Sequence, residues 1–398
     1  MRKNKLNFES FIGLEQFIFF HETIRGLVTI RAFRRVRQFC EQNETYLRNF
    51  IRASYTSQAA SQWLSFRLQM ISVIMVTLVG LTAVIQHMYG TANASLIGLA
   101  LSYILSVTGL LNGLITSFSE TEKEMVSVER AHQFKNLDSE NWDGIEVVDQ
   151  QWPLNPSIEF QNVTLKYKEE SHLALNNVNF FVKPGEKIGI CGRTGSGKSS
   201  LLMAIFRGCE IESGHILIDN KDTRNLSLKD LRERLSIIPQ DPFLFESTLR
   251  ENLDPSGQRS DEELWQVLKE TRLDQKFMQN AAGLDMIIEE TGKNLSVGEK
   301  QLICLARAIL TNRKILCIDE ATAQVDFETD NLIQETIRNK FRDTTVLTIA
   351  HRINTIFDYD KILVMDNGRV AEFNTVKNLM DDKNSLFYAL VNETRNLH

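Results

Sequence analysis

A glycine-rich stretch, residues 192–199, has the composition of a phosphate-binding loop. It reads glycine, four residues, glycine, lysine and serine, with a strand-like apolar segment before it and a helix-like one after it. In this order the glycines let backbone N–H groups surround phosphate oxygens at a helix N-terminus, Lys198 reaches the outer phosphates and Ser199 binds Mg²⁺. A glycine-rich turn with a surface lysine is the simpler interpretation, but the strand–loop–helix order favours a nucleotide site. The residues expected to contact the nucleotide here are Gly192, Thr194, Gly195, Ser196, Gly197, Lys198, Ser199 and Ser200.

Three other apolar segments, each typical of a buried strand, end in polar residues. These residues are Asp319 with Glu320 after one segment, His351 after the second and Gln240 after the third. Ligands bind beyond the carboxyl ends of parallel strands, so we expect these side chains to meet Lys198 in one site. Asp319 is then placed to hold Mg²⁺, and Glu320 to polarise the attacking water. Taken alone, His351 is more typical of a structural histidine and Gln240 of a solvated strand end.

The distribution of charge divides the chain. The first 67 residues carry a surplus of six positive charges, and residues 68–119 contain no Asp, Glu, Lys or Arg. The net charge of the whole chain is −6, so the remainder is strongly acidic and a nucleic-acid partner is not expected. The five cysteines form no CxxC pair, which favours reduced, structural thiols.

The uncharged block predicts a membrane hairpin in a lipid bilayer. A bilayer-spanning helix needs about 20 apolar residues, so the block fits two helices, near 68–89 and 94–118, joined by a short turn. The basic N-terminal flank predicts that both ends of the hairpin lie in the cytosol. The membrane is expected to be the plasma membrane or an internal membrane. A buried helical pair in a soluble domain is the alternative. The predicted domains are a cytosolic helical extension (1–66), two transmembrane helices (67–119), a linker (120–156) and a nucleotide-binding domain (157–398).

Together the motifs resemble the ATP-binding cassette transporters, and within them subfamily C, the multidrug-resistance-associated proteins. Residues 295–299, Leu-Ser-Val-Gly-Glu, are similar to the family signature, and residues 318–326 and 349–356 are similar to subfamily C segments. The base-reading motif of a GTPase fails at its last position, Thr223, and a small nucleotide kinase would not need a membrane hairpin. The resemblance implies four further site residues, which are Tyr167 for adenine stacking, Ser296 and Gly298 in the signature and Asp326 in the D-loop. It also implies that Gln240 is the Q-loop residue that binds Mg²⁺ and that His351 is the switch histidine.

The resemblance implies an α/β P-loop fold with a RecA-like core, a β-rich subdomain and a helical subdomain near residues 243–300, preceded by the helical hairpin. It also implies that ATP and Mg²⁺ are sandwiched between this loop and the signature of a second nucleotide-binding domain, with Glu320, His351 and Gln240 in catalysis. A transporter of this class has about twelve membrane helices and two such domains. The chain is therefore expected to be a C-terminal portion, an incomplete gene model or a degenerate paralogue.

Two functions are compatible with this reading. One is the ATP-hydrolysing end of a membrane exporter of organic anions, conjugates or drugs, and the other is a truncated or regulatory module that acts through a partner without transport. Glu299-Lys300 stands where the subfamily usually has Gln-Arg. We expect the carboxylate to weaken ATP capture by repulsion, with Lys300 as the offsetting charge.

Overall fold

A computed structural model describes residues 16–90, 94–137, 139–140, 142–149, 151–167, 172–321, 325–350 and 352–396. The chain divides into two compact units, residues 1–139 and residues 140–398. The predicted linker, 120–156, spans the point of division.

The first unit is helical. Residues 16–25 are helical, followed by α1 (Leu27–Ala32), α2 (Val36–Met88) and α3 (Ala94–Lys135). The helix α2 begins 32 positions before the uncharged block does, because Arg, Gln and Glu are good helix formers and do not interrupt it. A charge pattern therefore marks the apolar part of a helix and not its ends.

Among the described residues, α2 is the one helix long and apolar enough to cross a membrane, with a mean hydropathy of 2.3 in its most apolar window. None of its side chains is buried, and α2 contacts α3. A shorter apolar stretch, Ser95–Ile104, opens α3. The predicted turn lies mostly outside the described residues, since 91–93 are not among them.

The second unit contains three sheets. Its strands are β1 (Ile158–Lys166), β2 (Leu173–Val182), β3 (Lys187–Gly192), β4 (Ser213–Ile218), β5 (Lys221–Asp222), β6 (Leu235–Ile238), β7 (Ser247–Thr248), β8 (Ile287–Ile288), β9 (Ile315–Asp319), β10 (Thr345–Ile349), β11 (Lys361–Asp366) and β12 (Arg369–Asn374). The six-stranded sheet has the order β12-β11-β3-β10-β9-β6 and is parallel from β11 to β6. The four-stranded sheet, β2-β1-β4-β5, is antiparallel, and β7 pairs with β8. The predicted strands before residues 192, 240, 319 and 351 are confirmed, and all four lie side by side in the order β3-β10-β9-β6.

Helices cover the sheets. They are α4 (Lys198–Ile205), α5 (Leu228–Arg234), α6 (Leu249–Leu253), α7 (Asp261–Glu270), α8 (Asp274–Met278), α9 (Val297–Thr311), α10 (Phe327–Lys340), α11 (Val376–Asp381) and α12 (Leu386–Asn396), with 3₁₀ turns at Thr223–Asn225, Gly283–Asp285, Glu290–Gly292 and Ile353–Ile356. One apolar core joins the antiparallel sheet to the parallel sheet, and a second lies beneath the helices between α6 and α10. The β-rich and helical subdomains that the sequence predicts are thus present.

The described residues of the segment 140–156 belong to the second unit and pack on the rest of it. Trp152 is buried at 5% exposure. Asp219 accepts a hydrogen bond from the Leu154 N–H at 2.7 Å, and the Lys314 ammonium donates to the Pro153 carbonyl at 2.8 Å. This part of the predicted linker has its own place in the fold of the nucleotide-binding domain.

Candidate nucleotide-binding site

The loop between β3 and α4 has the backbone of a phosphate cradle. Gly192, Gly195 and Gly197 have φ values of 146°, 80° and 97°, a region that glycine enters without strain. A Cβ at Gly192 would lie 2.2 Å from the Met365 carbonyl oxygen, so the chain can pass there only as glycine. The loop is therefore packed against β11 at Gly192, whereas a Cβ at Gly195 would meet no atom within 4 Å.

Two side chains of the loop are arranged for an anion. The Lys198 ammonium donates to the carbonyls of Gly192 at 2.9 Å and Arg193 at 3.0 Å, which holds its charge over the loop. Ser196 is 4% exposed, and its hydroxyl has no hydrogen-bond partner among the described residues. A buried hydroxyl without a partner is uncommon, and a phosphate oxygen would satisfy it. Thr194 is exposed beside them.

The metal-binding prediction concerns the start of α4 and the end of β9. The Ser199 hydroxyl donates to the Asp319 carboxylate at 3.4 Å, so these two predicted ligands meet. Burial, with the neighbouring charge of Glu320, raises the pKa of Asp319 despite the Ser199 hydrogen bond and the charge of Lys198. A partly buried carboxylate that lacks a full counter-charge suits a divalent cation. Hydroxyl, carboxylate and amide oxygens are the ligands that Mg²⁺ prefers.

Glu320 lies at the centre of the site with a strained backbone. Its φ is 43°, which is unusual for a residue other than glycine, and its N–H donates to the Ile349 carbonyl at 3.1 Å. This hydrogen bond fixes the residue between the ends of β9 and β10. The Gln240 amide donates to the Glu320 carboxylate at 3.1 Å. The structure therefore brings together Gln240, Asp319 and Glu320, as the strand-end argument predicts.

Tyr167 lies at the end of β1, next to the helix of the phosphate loop. Its hydroxyl and that of Ser200 are 3.1 Å apart, within hydrogen-bond distance. The ring is partly buried against the core that joins the two larger sheets. The predicted adenine platform is thus attached to the phosphate loop, while its stacking role stays a prediction. His351 lies outside the described residues.

The signature residues begin α9. The Ser296 hydroxyl accepts from the Glu299 N–H at 3.3 Å, and the Glu299 carboxylate accepts from the Ser296 N–H at 2.8 Å, which makes a capping box. Ser296 is exposed, so the start of α9 lies at the surface of the second unit. The cation that pairs with Glu299 is Lys276, at 2.6 Å. Lys300, which was expected to offset Glu299, is not its direct partner, because the Lys300 ammonium donates to the Thr291 carbonyl at 2.8 Å.

Asp326 and Gly298 meet through one threonine. Asp326 caps α10 by accepting from the Thr329 N–H at 3.0 Å and the Thr329 hydroxyl at 2.8 Å. A Cβ at Gly298 would lie 3.2 Å from the Thr329 methyl carbon, so glycine allows α9 to approach α10 closely. The signature and the D-loop of this chain therefore adjoin.

Sequence reasoning missed two polar residues that support the site. Gln301 is 2% exposed and donates to the carbonyls of Pro239 at 3.2 Å and Gln240 at 2.9 Å, which links α9 to the Gln240 loop. Arg352 donates to Asp330 at 3.2 Å and to the Val325 carbonyl at 3.3 Å. A lone glutamine in the apolar face of α9 was the available signal for the first of these.

The described part of the chain holds no group of three or more His, Cys, Asp or Glu side chains that could bind a metal ion by themselves. The Mg²⁺ site that the sequence predicts consists of Ser199, Gln240 and Asp319 and stays a prediction. Lys198, Ser199, Asp319, Glu320 and Gln240 form a connected set at the carboxyl edge of the parallel sheet. This set suits phosphoryl transfer to water.

Comparisons with known proteins agree with this geometry. The family described as ABC transporter matches residues 175–323, and the family described as ABC transporter transmembrane region matches residues 12–111. A solved structure titled as a bacterial Atm1-family ABC exporter with ATP bound superposes with a TM-score of 0.86. It is 24% identical and the match covers 99% of this chain and 69% of that one, so the likeness is one of fold.

Curated relatives extend the comparison. The ATP-binding cassette sub-family C member 10 of Mus musculus is 46% identical, and the metal resistance protein YCF1 of Saccharomyces cerevisiae is 45% identical. The multidrug resistance protein mrp-7 of Caenorhabditis elegans is 43% identical. Each match covers 94% of this chain and 25% of the relative, so the chain spans about a quarter of the length of these relatives.

Proposed function

Because this chain belongs to the ATP-binding cassette transporter family, in subfamily C, we propose that it is the ATP-binding and ATP-hydrolysing C-terminal part of a membrane exporter. The observation that carries the proposal is the connected set of Lys198, Ser199, Asp319, Glu320 and Gln240 at one sheet edge. This set has a cation for phosphate, oxygen ligands for Mg²⁺ and a carboxylate beside both.

Each side chain then has a defined task. Tyr167 stacks on the adenine, and Lys198 with the loop N–H groups neutralises phosphate charge. Ser199, Asp319 and Gln240 hold Mg²⁺, which supplies positive charge next to the reacting phosphate when it is bound. Glu320 orients the attacking water and accepts its proton, because its carboxylate lies beside Asp319 and is held by Gln240. His351 is proposed as a second group near the reacting phosphate.

The site requires a second nucleotide-binding domain. Ser296, with Gly298 behind it, begins α9, and the exposed helix N-terminus carries partial positive charge. We propose that it faces ATP held by the partner domain, whose signature in turn faces the ATP held here. The partner domain and the remaining membrane helices belong to the same full-length protein or to a partner chain, since the matched relatives are about four times as long.

The proposed cargo is an organic anion, conjugate or drug. Relatives carry names that refer to metal resistance, multidrug resistance and, for the Schizosaccharomyces pombe protein abc3, vacuolar heme export. The apolar helix α2 and the matched transmembrane region support a chain in the membrane. We propose that α2 and α3 cross the plasma membrane or an internal membrane with the nucleotide-binding domain in the cytosol, as the basic residues before the apolar part of α2 favour.

The second candidate, a regulatory module without transport, shares the nucleotide chemistry and differs in the membrane step. A direct test places the complete transporter in proteoliposomes and measures ATP-dependent uptake of a fluorescent organic anion, with Glu320→Gln as the matched inactive variant. Uptake that disappears in Glu320→Gln supports an exporter. ATP hydrolysis without uptake across a panel of anions would replace the exporter by the regulatory module.

A further inference from the structure

The acidic residue in the signature has two partners at once. One Glu299 carboxylate oxygen accepts from the Ser296 N–H at 2.8 Å, and the other accepts from the Lys276 ammonium at 2.6 Å. A glutamine at this position would complete the capping box equally well. Its amide nitrogen would then face Lys276 donor to donor, because an ammonium group has no acceptor. A carboxylate is therefore the side chain that serves both partners.

Lys276 is held in place by its own helix. It lies on α8, between Asp274 and Met278, and the next residue, Phe277, is fully buried in the core of the helical subdomain. The Lys276 side chain is 44% exposed and the Glu299 side chain 23% exposed. This contact thus joins α8 to the first turn of α9 at the surface that presents Ser296.

The charge of Glu299 is fixed by these contacts. Burial alone would raise the pKa of its carboxyl, but the hydrogen bonds from Lys276 and Ser296 hold the pKa below its usual value. Glu299 is therefore an anion at neutral pH, one position after Gly298. A nearby anion opposes the approach of a phosphate, and an adjacent cation cancels most of that effect.

We propose that Lys276 is a positioning residue of the signature. It neutralises Glu299 and keeps it on the Ser296 cap, so that the start of α9 remains available to the phosphates of ATP bound by the partner domain. This inference rests on the proposed function, in which Ser296 and Gly298 face a partner's nucleotide. Lys300 does not hold Glu299 on the cap, since its ammonium donates to the Thr291 carbonyl.

The test is a double-mutant cycle in the complete transporter, with steady-state ATP hydrolysis as the readout. Lys276→Ala exposes the charge of Glu299 and is expected to raise the KM for ATP about three- to tenfold, with a smaller change in kcat. The combined variant Lys276→Ala with Glu299→Gln is expected to return the KM to that of Glu299→Gln alone, which is no higher than that of the wild type. The increase caused by Lys276→Ala should also shrink as salt is raised.

A matched control is Lys340→Ala, which breaks a surface pair of the same 2.6 Å length and similar exposure, with Glu270. It should leave the KM unchanged. An unchanged KM in Lys276→Ala, or an increase that persists in the Glu299→Gln background, would overturn the proposal and leave the pair a structural contact. The ATP hydrolysis rates of the wild type and of Glu320→Gln are measured alongside. Equal rates for these two proteins would refute ATP hydrolysis at this site, which is a different result from failure of the role of Lys276.

Discussion

The Gln240 amide donates to the Glu320 carboxylate at 3.1 Å, although the two residues are 80 positions apart in the chain. They follow β6 and β9, which are neighbouring parallel strands, so the sheet brings their side chains to one edge. The backbone carbonyl of Gln240 is bonded in turn to Gln301 of α9. One loop residue is thus connected both to the proposed catalytic carboxylate and to the signature helix.

Gln240→Ala should lower kcat for ATP hydrolysis by about tenfold in the complete transporter, because Glu320 loses the donor that orients it. Gln240→Glu should lower kcat further, since two carboxylates at this distance repel each other and favour protonation of one of them. Steady-state ATPase assays at saturating MgATP measure both. Gln266→Ala, an exposed glutamine on α7, serves as the control. Wild-type turnover in Gln240→Glu would remove Gln240 from the active site.

Lys198→Ala should weaken MgATP binding by about a hundredfold, the usual size of a lost hydrogen bond to a charged group. Among the described residues, the hydrogen bonds of its ammonium go to two carbonyls of its own loop, so the fold should tolerate its removal. Titration with a fluorescent ATP analogue gives the affinity, and thermal denaturation without nucleotide checks the fold. Lys221→Ala, whose ammonium is 3.8 Å from Glu146, is the surface control. Equal affinities for the two variants would contradict the assignment of the phosphate loop.

Substitutions of Tyr167 separate its ring from its hydroxyl. Tyr167→Ala should cost roughly 1–3 kcal/mol of ATP binding by loss of base stacking. Tyr167→Phe keeps the ring and loses only the contact with Ser200, so it should cost no more than about 1 kcal/mol. Isothermal titration calorimetry measures both. If Phe and Ala were equally damaging, the hydroxyl would be the important group and adenine stacking would be wrong.

The packed segment 140–156 should be needed for a stable nucleotide-binding domain. Trp152→Ala should lower the free energy of unfolding by about 3–5 kcal/mol, as expected for a buried tryptophan. Trp142→Ala is the matched control, because Trp142 is 56% exposed and the Arg232 guanidinium lies 5.9 Å from the centre of its ring. Urea denaturation of residues 140–398 compares the two. A domain that begins at residue 157 should be destabilised like Trp152→Ala, and equal stability with the longer domain would show that the segment is dispensable.

The cysteines should differ in reactivity. All five are free, Cys40 is exposed, and Cys191, Cys304 and Cys317 are buried. Burial raises the pKa of Cys191 and Cys317 to about 12. Both thiols therefore stay protonated even in solutions whose pH is well above neutral. Iodoacetamide at pH 7.5 should label Cys40 in the folded protein and label Cys191 and Cys317 only in urea, which mass spectrometry of peptides detects. Labelling of Cys317 in the folded protein would contradict its position in β9, a buried strand with a neighbour on each side.

The sequence predicts those parts of the site whose side chains lie at the ends of neighbouring parallel strands. Asp319 ends an apolar run that is buried on both faces, and parallel strands bring such ends together whatever their separation in sequence, so Glu320, next to Asp319, lies within hydrogen-bond distance of Gln240 as expected. The partner of Glu299 was not predictable, because Lys276 comes from a five-residue helix whose placement depends on how Phe277 packs. The wrong choice, Lys300, was nearer in sequence.

The same limit applies to the helices and the linker. Absence of charge defines where a helix can meet lipid, but it cannot define where the helix begins, and α2 therefore extends well beyond the predicted span. The polar composition of 138–156 indicates a linker, yet one tryptophan and a few backbone hydrogen bonds are enough to fix that segment on the domain. Tertiary contacts of this kind leave no pattern in the local amino-acid sequence.

The length of α2 has a mechanical consequence. Its 53 residues make a rod of about 80 Å, whereas the hydrocarbon of a bilayer is about 30 Å thick. In the proposed topology the apolar part lies at one end of the rod, so the other end stands roughly 60 Å from the bilayer centre. A tilt of about 5° around that centre then displaces the far end by about 5 Å, close to one helical turn. The helix α2 thus acts as a lever, in which a small tilt of the part inside the bilayer gives a large displacement of the end outside it.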